Sequence, residues 1–102
     1  MSNIKEKLNL RFLQQKREDI LAIAQKHGAK NIRVFGSIAR GDADEKSDID
    51  FLVEMEVGRS LFDLGGLQYD LEILLGLQVD VVSQKGLKKS IRDRVLSESI
   101  VL

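Results

Sequence analysis

The chain has 102 residues and no cysteine, which excludes a disulfide framework, a thiolate metal centre and a cysteine nucleophile. Sixteen Lys and Arg cancel sixteen Asp and Glu, and 43% apolar against 31% charged residues is ordinary for a globular domain, so no global charge invites nucleic acid or a membrane surface. No apolar run nears the roughly 20 residues of a membrane span, and residues 1–17 are too polar for a secretion signal, so one domain over residues 1–102, in the cytoplasm, is expected.

Residues 3–27 are rich in helix formers, with Ile20, Ile23, Ala24 and His27 at helical spacing. Gly28 ends this predicted helix, and Lys26 and His27 stand against its negative end. His27, the sole histidine, therefore reads as a capping residue and not a catalytic one. Residues 31–35 alternate and predict a strand. Gly36-Ser37 interrupts it, residues 38–40 make at most a helical turn, and residues 41–47 form a polar loop. A second strand follows over residues 48–54, with Ile49, Phe51 and Val53 on one face and Asp48, Asp50 and Leu52 on the other. Ser60 caps a long helix reaching about Leu75, with Asp63 in the capping-box position and Gly76 closing it. Leu61, Leu64, Leu67, Leu71, Leu74 and Leu75 form its apolar stripe. Residues 77–83 give a third strand carrying Asp80, and residues 88–96 a last helix.

The long helix has a second apolar face made of Phe62, Gly66, Tyr69 and Ile73. Glycines inside a helix cost about 1 kcal/mol each relative to alanine, so Gly65-Gly66 predicts a close neighbour. The simpler expectation is another helix of the same domain, and the alternative is a partner protein. Tyr69 reads as packing or interface, and not as an acceptor of modification.

Charge is uneven along the chain. Asp42, Asp44, Glu45, Asp48, Asp50, Glu54 and Glu56 lie close together against only Arg40 and Lys46, whereas Lys85, Lys88, Lys89, Arg92 and Arg94 oppose only Asp93. An acidic centre with a basic flank could hold a metal-bound polyphosphate. Counting alone favours a solvated acidic loop and a solvated basic helix face.

The spacing of the acids says more. Asp48 and Asp50, one residue apart on a strand, project from the same face with α-carbons about 6.5 to 7 Å apart, and two such carboxylates gain from a shared Mg²⁺ or Mn²⁺. Asp80, set among Val79, Val81 and Val82, joins them if the strands are neighbours, and a carboxylate flanked by valines is costly unless paired or metal-bound. A strand that ends in Gly36-Ser37 and turns into a helix offers backbone N–H groups and a hydroxyl to phosphate oxygens, although an isolated Ser37 more often caps the helix. Arg40 either reaches those phosphates or pairs with the acidic loop. Two other motifs fail. Gly36 and Gly41 have Walker A spacing, but Asp42-Ala43 stands where Lys-Ser/Thr is required, and the Asp42-x-Asp44 start of a calcium loop is spoiled by Lys46 and Ser47.

Gly36-Ser37, ten residues, then Asp48-x-Asp50 resembles the signature of the DNA polymerase beta-like nucleotidyltransferase superfamily. The Gly36-Ser-x-Ala-Arg-Gly-Asp…Ser-Asp-Ile-Asp form is similar to its minimal nucleotidyltransferase branch, the MNT-type antitoxins, across essentially the whole chain. The resemblance implies an α/β (α+β) nucleotidyltransferase fold, a small mixed sheet of three or more strands carrying the acids with helices against it. It also implies that Gly36 and Ser37 bind the terminal phosphates of the nucleotide. Asp48 and Asp50 would ligate two Mg²⁺ ions, and Asp80 would help bind one of them and position or deprotonate the attacking hydroxyl. The chemistry so implied is attack of a hydroxyl on the α-phosphorus of a nucleoside triphosphate with release of pyrophosphate. Larger family members have a second domain for the acceptor, and this chain has no room for one. The resemblance therefore implies a separate protein acceptor, a helical HEPN-type ribonuclease toxin silenced by transfer of AMP from ATP to a tyrosine. The Phe62, Tyr69 and Ile73 seam and the apolar tail Ile100-Val101-Leu102 are the candidate contact surfaces.

Two other classes remain open at this point. The domain could neutralise its partner by occlusion, without chemistry, or transfer nucleotides to RNA or to a small molecule such as an antibiotic. Against RNA, zero net charge and five aromatic residues give no basic stacking groove. Against an antibiotic, little chain is left to build its pocket. Lys88, Lys89 and Arg92 read as a solvated helix face before they read as steering groups.

Overall fold

The computed structural model describes residues 9–44 and 46–102, so the predicted helix before Asn9, and Glu45, lie outside the described residues. The first helix is two: α1 (Leu10–Gln15), whose amide at Phe12 is capped by the Asn9 side chain at 2.9 Å, and α2 (Arg17–Lys26), separated from it at Lys16. Next come β1 (Ala29–Phe35), the short helix α3 (Gly36–Arg40), β2 (Ile49–Met55), α4 (Leu61–Leu75), β3 (Val79–Ser83), a 3₁₀ turn (Gln84–Gly86), α5 (Lys89–Glu98) and β4 (Ile100–Val101). Among the described residues no helix is long and apolar enough to cross a membrane.

The sheet runs β3-β2-β1-β4, with β1 antiparallel to both β2 and β4 and β2 parallel to β3. A parallel pair needs a crossover, and α4 supplies it. Ile49, Phe51 and Val53 are almost completely buried against Ile20 and Ala24 of α2 and Leu67, Leu71 and Leu75 of α4. Leu52 alternates to the other face, with Asp50, and is also fully buried.

Several expectations change. β4 was not predicted, because two apolar residues are too few to alternate. Ile100 pairs with Val34 and Val101 with Arg33, the Leu102 amide donates to the Ile32 carbonyl at 3.0 Å, and Arg17 Nε donates to the Leu102 carbonyl at 2.8 Å. The apolar tail thus forms an edge of the sheet. The leucine stripe holds at Leu67, Leu71 and Leu75, but Leu61 in the first turn is 83% exposed, since periodicity defines a face and not where its support ends. The capping box is present as read: Ser60 accepts from the Phe62 amide at 3.2 Å, and Asp63 accepts from the Ser60 amide at 2.9 Å and is held below the usual carboxylate range by that bond.

The predicted helix-on-helix seam is corrected too. Phe62, Tyr69 and Ile73 are 92%, 64% and 65% exposed, whereas Gly66 has a close neighbour. That neighbour is His27, which is the C-cap of α2 as expected and also bonds Asp70 Oδ2 through Nε2 at 2.7 Å, joining α2 to α4. This bond, first among its causes, holds the Asp70 carboxyl below its ordinary range. A Cβ on Gly66 would lie 2.8 Å from the His27 ring, whereas one on Gly65 would meet nothing within 4 Å. Gly65→Ala is therefore expected to stabilise the protein by about 0.5–1 kcal/mol through helix propensity. Gly66→Ala is expected to lose about 1–2 kcal/mol instead, because the anchored ring must move. Urea unfolding of the two variants checks this, and equal gains would show the ring to be free.

Candidate active site

The sheet register assembles the acids. Asp50 of β2 lies directly beside Asp80 of β3, and neighbouring strands are about 4.8 Å apart. Asp48 precedes β2 by one residue, so the pleat returns it to the same face as Asp50. Asp48 and Asp80 are exposed and Asp50 is half-buried. Burial first, then the Asp80 charge, then that of Asp48, push the Asp50 carboxyl up to about 6, against a lowering by Arg40. The valines beside Asp80 were expected to make its carboxylate costly. They do not: Val79 and Val81 turn into the core while Asp80 turns outward.

β1 brings the glycine to the acids. Phe35 is the register partner of Asp50, so the next residue, Gly36, passes over the Asp50 side chain as the chain turns into α3. Gly36 has φ of +72°, and a Cβ there would overlap Asp50 Oδ2. Only glycine satisfies both conditions. Sequence reading assigned Gly36 to phosphates alone and missed this contact; the i+1 position after a residue facing Asp50 was the available signal. Ser37 is not a helix cap, since Phe35 occupies that position and no side chain bonds there. Its hydroxyl thus lacks the capping role that an isolated Gly-Ser favours.

Arg40 pairs with the acidic loop, one of the two roles considered for it. Its Nε lies 3.2 Å from Asp42 Oδ2, and its charge reaches Asp50. Asp44 is used within the loop, accepting from the Lys46 amide at 2.9 Å and from the Ser47 hydroxyl at 3.2 Å. Two residues of the basic flank lie away from Asp50. Lys85 and Arg92 line a cavity of about 350 Å³ with Lys30, Glu54 and Glu56, at the opposite end of β2 from Asp50.

Among the described residues no three His, Cys, Asp or Glu side chains close into a ready metal cage. The donor set still suits a hard divalent cation of the magnesium type, which takes one or two carboxylates and completes its shell with phosphate oxygens and water. After burial, the charges of Asp80 and Asp48 raise the Asp50 carboxyl and Arg40 offsets them only in part, which a cation at this place would relieve further.

The chain matches the family described as "Nucleotidyltransferase domain" over residues 11–102. Its relatives include a candidate protein adenylyltransferase of Methanocaldococcus jannaschii, 46% identical over 79% of this chain and 87% of that protein. Another is the protein adenylyltransferase MntA of Thermococcus cleftensis, 44% identical over 76% of this chain and 79% of the relative. Among solved structures, a candidate minimal nucleotidyltransferase superposes with a TM-score of 0.84 at 49% identity, covering 92% of this chain and 96% of that one. A more distant likeness, of fold alone, is to a complex of a tri-AMPylated HEPN toxin of Shewanella oneidensis with an MNT antitoxin. There the TM-score is 0.66 at 19% identity, over 86% of this chain and 69% of that one.

Proposed function

The chain belongs to the nucleotidyltransferase domain family, with the minimal, MNT-type architecture, and on that premise we propose that it is a magnesium-dependent protein adenylyltransferase. It moves AMP from ATP to a tyrosine hydroxyl of a HEPN-type toxin and so acts as an antitoxin in the cytoplasm. The observation that carries the reading is the pairing of Asp50 with Asp80 across parallel strands, with Asp48 beside them and the Gly36 turn against Asp50. The name of the Thermococcus relative supports protein as the acceptor, and the toxin complex among structures of the same fold supports the partner class.

In this reading Gly36 and Ser37 receive the β- and γ-phosphates, and Arg40 adds positive charge at the same turn. Asp48 and Asp50 hold the magnesium ions, assisted by Asp80. When bound, the magnesium neutralises charge on the phosphate oxygens. Asp80, exposed on the edge strand, orients the tyrosine hydroxyl and accepts its proton as the oxygen attacks the α-phosphorus. The bond to pyrophosphate breaks, and the AMP group remains on the acceptor. Phe62, Tyr69 and Ile73, exposed among the described residues, are contact residues for the partner.

Incubation with α-labelled ATP, Mg²⁺ and the protein encoded beside this one tests the proposal, with the Asp48→Asn/Asp50→Asn double variant as control. Label on the neighbour that vanishes with the double variant is the expected result. Co-purification without label would instead mean neutralisation by occlusion.

A further inference from the structure

β3 is an edge strand, paired with β2 on one side only. Alternate amides of such a strand point away from its partner, and here they are those of Val79 and Val81, the residues on either side of Asp80. Neither is left open. The Val79 amide donates to Glu72 Oε2 and the Val81 amide to Gln68 Oε1, both at 3.2 Å. Gln68 and Glu72 are four residues apart and so lie on one face of α4. Their two acceptors match the two-residue spacing of the strand amides. The helix thus takes the place of a missing neighbouring strand at the one stretch of β3 that carries an acid of the site.

We infer that Gln68 and Glu72 are positioning residues for Asp80. They pin the amides on both sides of it, so that its carboxylate stays in register with Asp50 across β2. Neither side chain needs to touch nucleotide or acceptor. The inference rests on the catalytic role proposed for Asp80. Without these bonds β3 keeps its hydrophobic contacts through Val79 and Val81, but the Asp80 backbone is held from the β2 side alone.

The test is the Gln68→Leu/Glu72→Leu variant, which keeps size and helix propensity while removing both acceptors. The swapped variant Gln68→Glu/Glu72→Gln, which retains an acceptor oxygen at each position, accompanies it. The leucine variant is expected to lower kcat for AMP transfer about tenfold or more, since a misplacement of 1 Å can cost about a hundredfold, while KM for ATP changes less than about twofold. Its Val79 and Val81 amides are expected to exchange hydrogen faster, and the swapped variant to restore both kcat and protection. Wild-type kcat in a leucine variant whose two amides exchange faster would overturn the inference, as would an inactive swapped variant whose amides remain protected. Should the leucine variant fail to fold, the single Gln68→Leu change is read by the same two measurements. Asp80→Asn separates the two possible failures. If it transfers as wild type does, the role of Asp80 fails and the positioning role with it; if it is inactive while the leucine variant transfers at the wild-type rate, the positioning role alone fails.

Discussion

Asp50→Asn is expected to abolish AMP transfer and, in the metal-free protein, to make the fold more stable. The two effects share one cause. Burial and the charges of Asp80 and Asp48 raise the Asp50 carboxyl to about 6 from an ordinary value of 3.8. Below that ordinary value both folded and unfolded chains hold the proton, and Asp50 does not affect stability. As pH rises towards 6 the unfolded chain releases its proton and the folded one resists. Stability therefore falls across this interval and stays lower above it. The rise from 3.8 to about 6 sets a ceiling of about 3 kcal/mol. Solvent screening of a cluster open on one side reduces this to about 1–2 kcal/mol. Asparagine keeps the shape without the charge. Urea unfolding in the presence of a chelator should show the variant more stable than wild type by about that amount at pH 8, with the gain gone near pH 4. Transfer should fall at least a thousandfold, as expected when an electrostatic group of a phosphoryl site is removed. A variant no more stable than wild type at pH 8 would mean that neither burial nor the neighbouring acids raise the Asp50 carboxyl.

Much of this site was legible before any coordinates, because its signals are local. The Asp48-x-Asp50 alternation, the Gly36-Ser37 interruption and the Ser60 and Asp63 box each involve residues a few positions apart, where the backbone period fixes direction. What the sequence hid depends on separation. The partnership of His27 with Asp70 spans 43 residues and has no pattern of its own, so His27 read as a cap alone and Gly66 was assigned to a helix seam. The exposure of Phe62, Tyr69 and Ile73 was hidden for the same reason: a helical period says that residues share a face, and only the packed fold says whether anything covers it. Asp80 shows the limit from the other side. Its valine neighbours read as burial, whereas in an edge strand they mark the core face and leave the acid on the open one.

Gly36→Ala is expected to be the most damaging single change outside the acids, and a comparison with Gly41→Ala separates its two causes. Both glycines have positive φ, +72° and +80°, where an L-residue costs about 1–2 kcal/mol. At Gly41 an added Cβ meets nothing within 4 Å, so backbone strain is the whole penalty. At Gly36 the Cβ also overlaps Asp50 Oδ2 and lies 3.1 Å from its Cγ, so the carboxylate must turn away from the place it holds beside Asp80. Overpacking of this kind adds about 1–3 kcal/mol. Gly41→Ala should therefore lose about 1–2 kcal/mol of stability and keep most of its transfer activity. Gly36→Ala should lose about 2–4 kcal/mol and at least a hundredfold in transfer, since the carboxylate that moves is one the chemistry depends on. Combining Gly36→Ala with Asp50→Ala removes the colliding oxygen. A double-mutant cycle in unfolding free energy should then recover the steric share and leave a penalty close to that of Gly41→Ala. A strictly additive cycle would show that Gly36 and Asp50 do not touch, and the close approach of the turn to the acids would have to be abandoned.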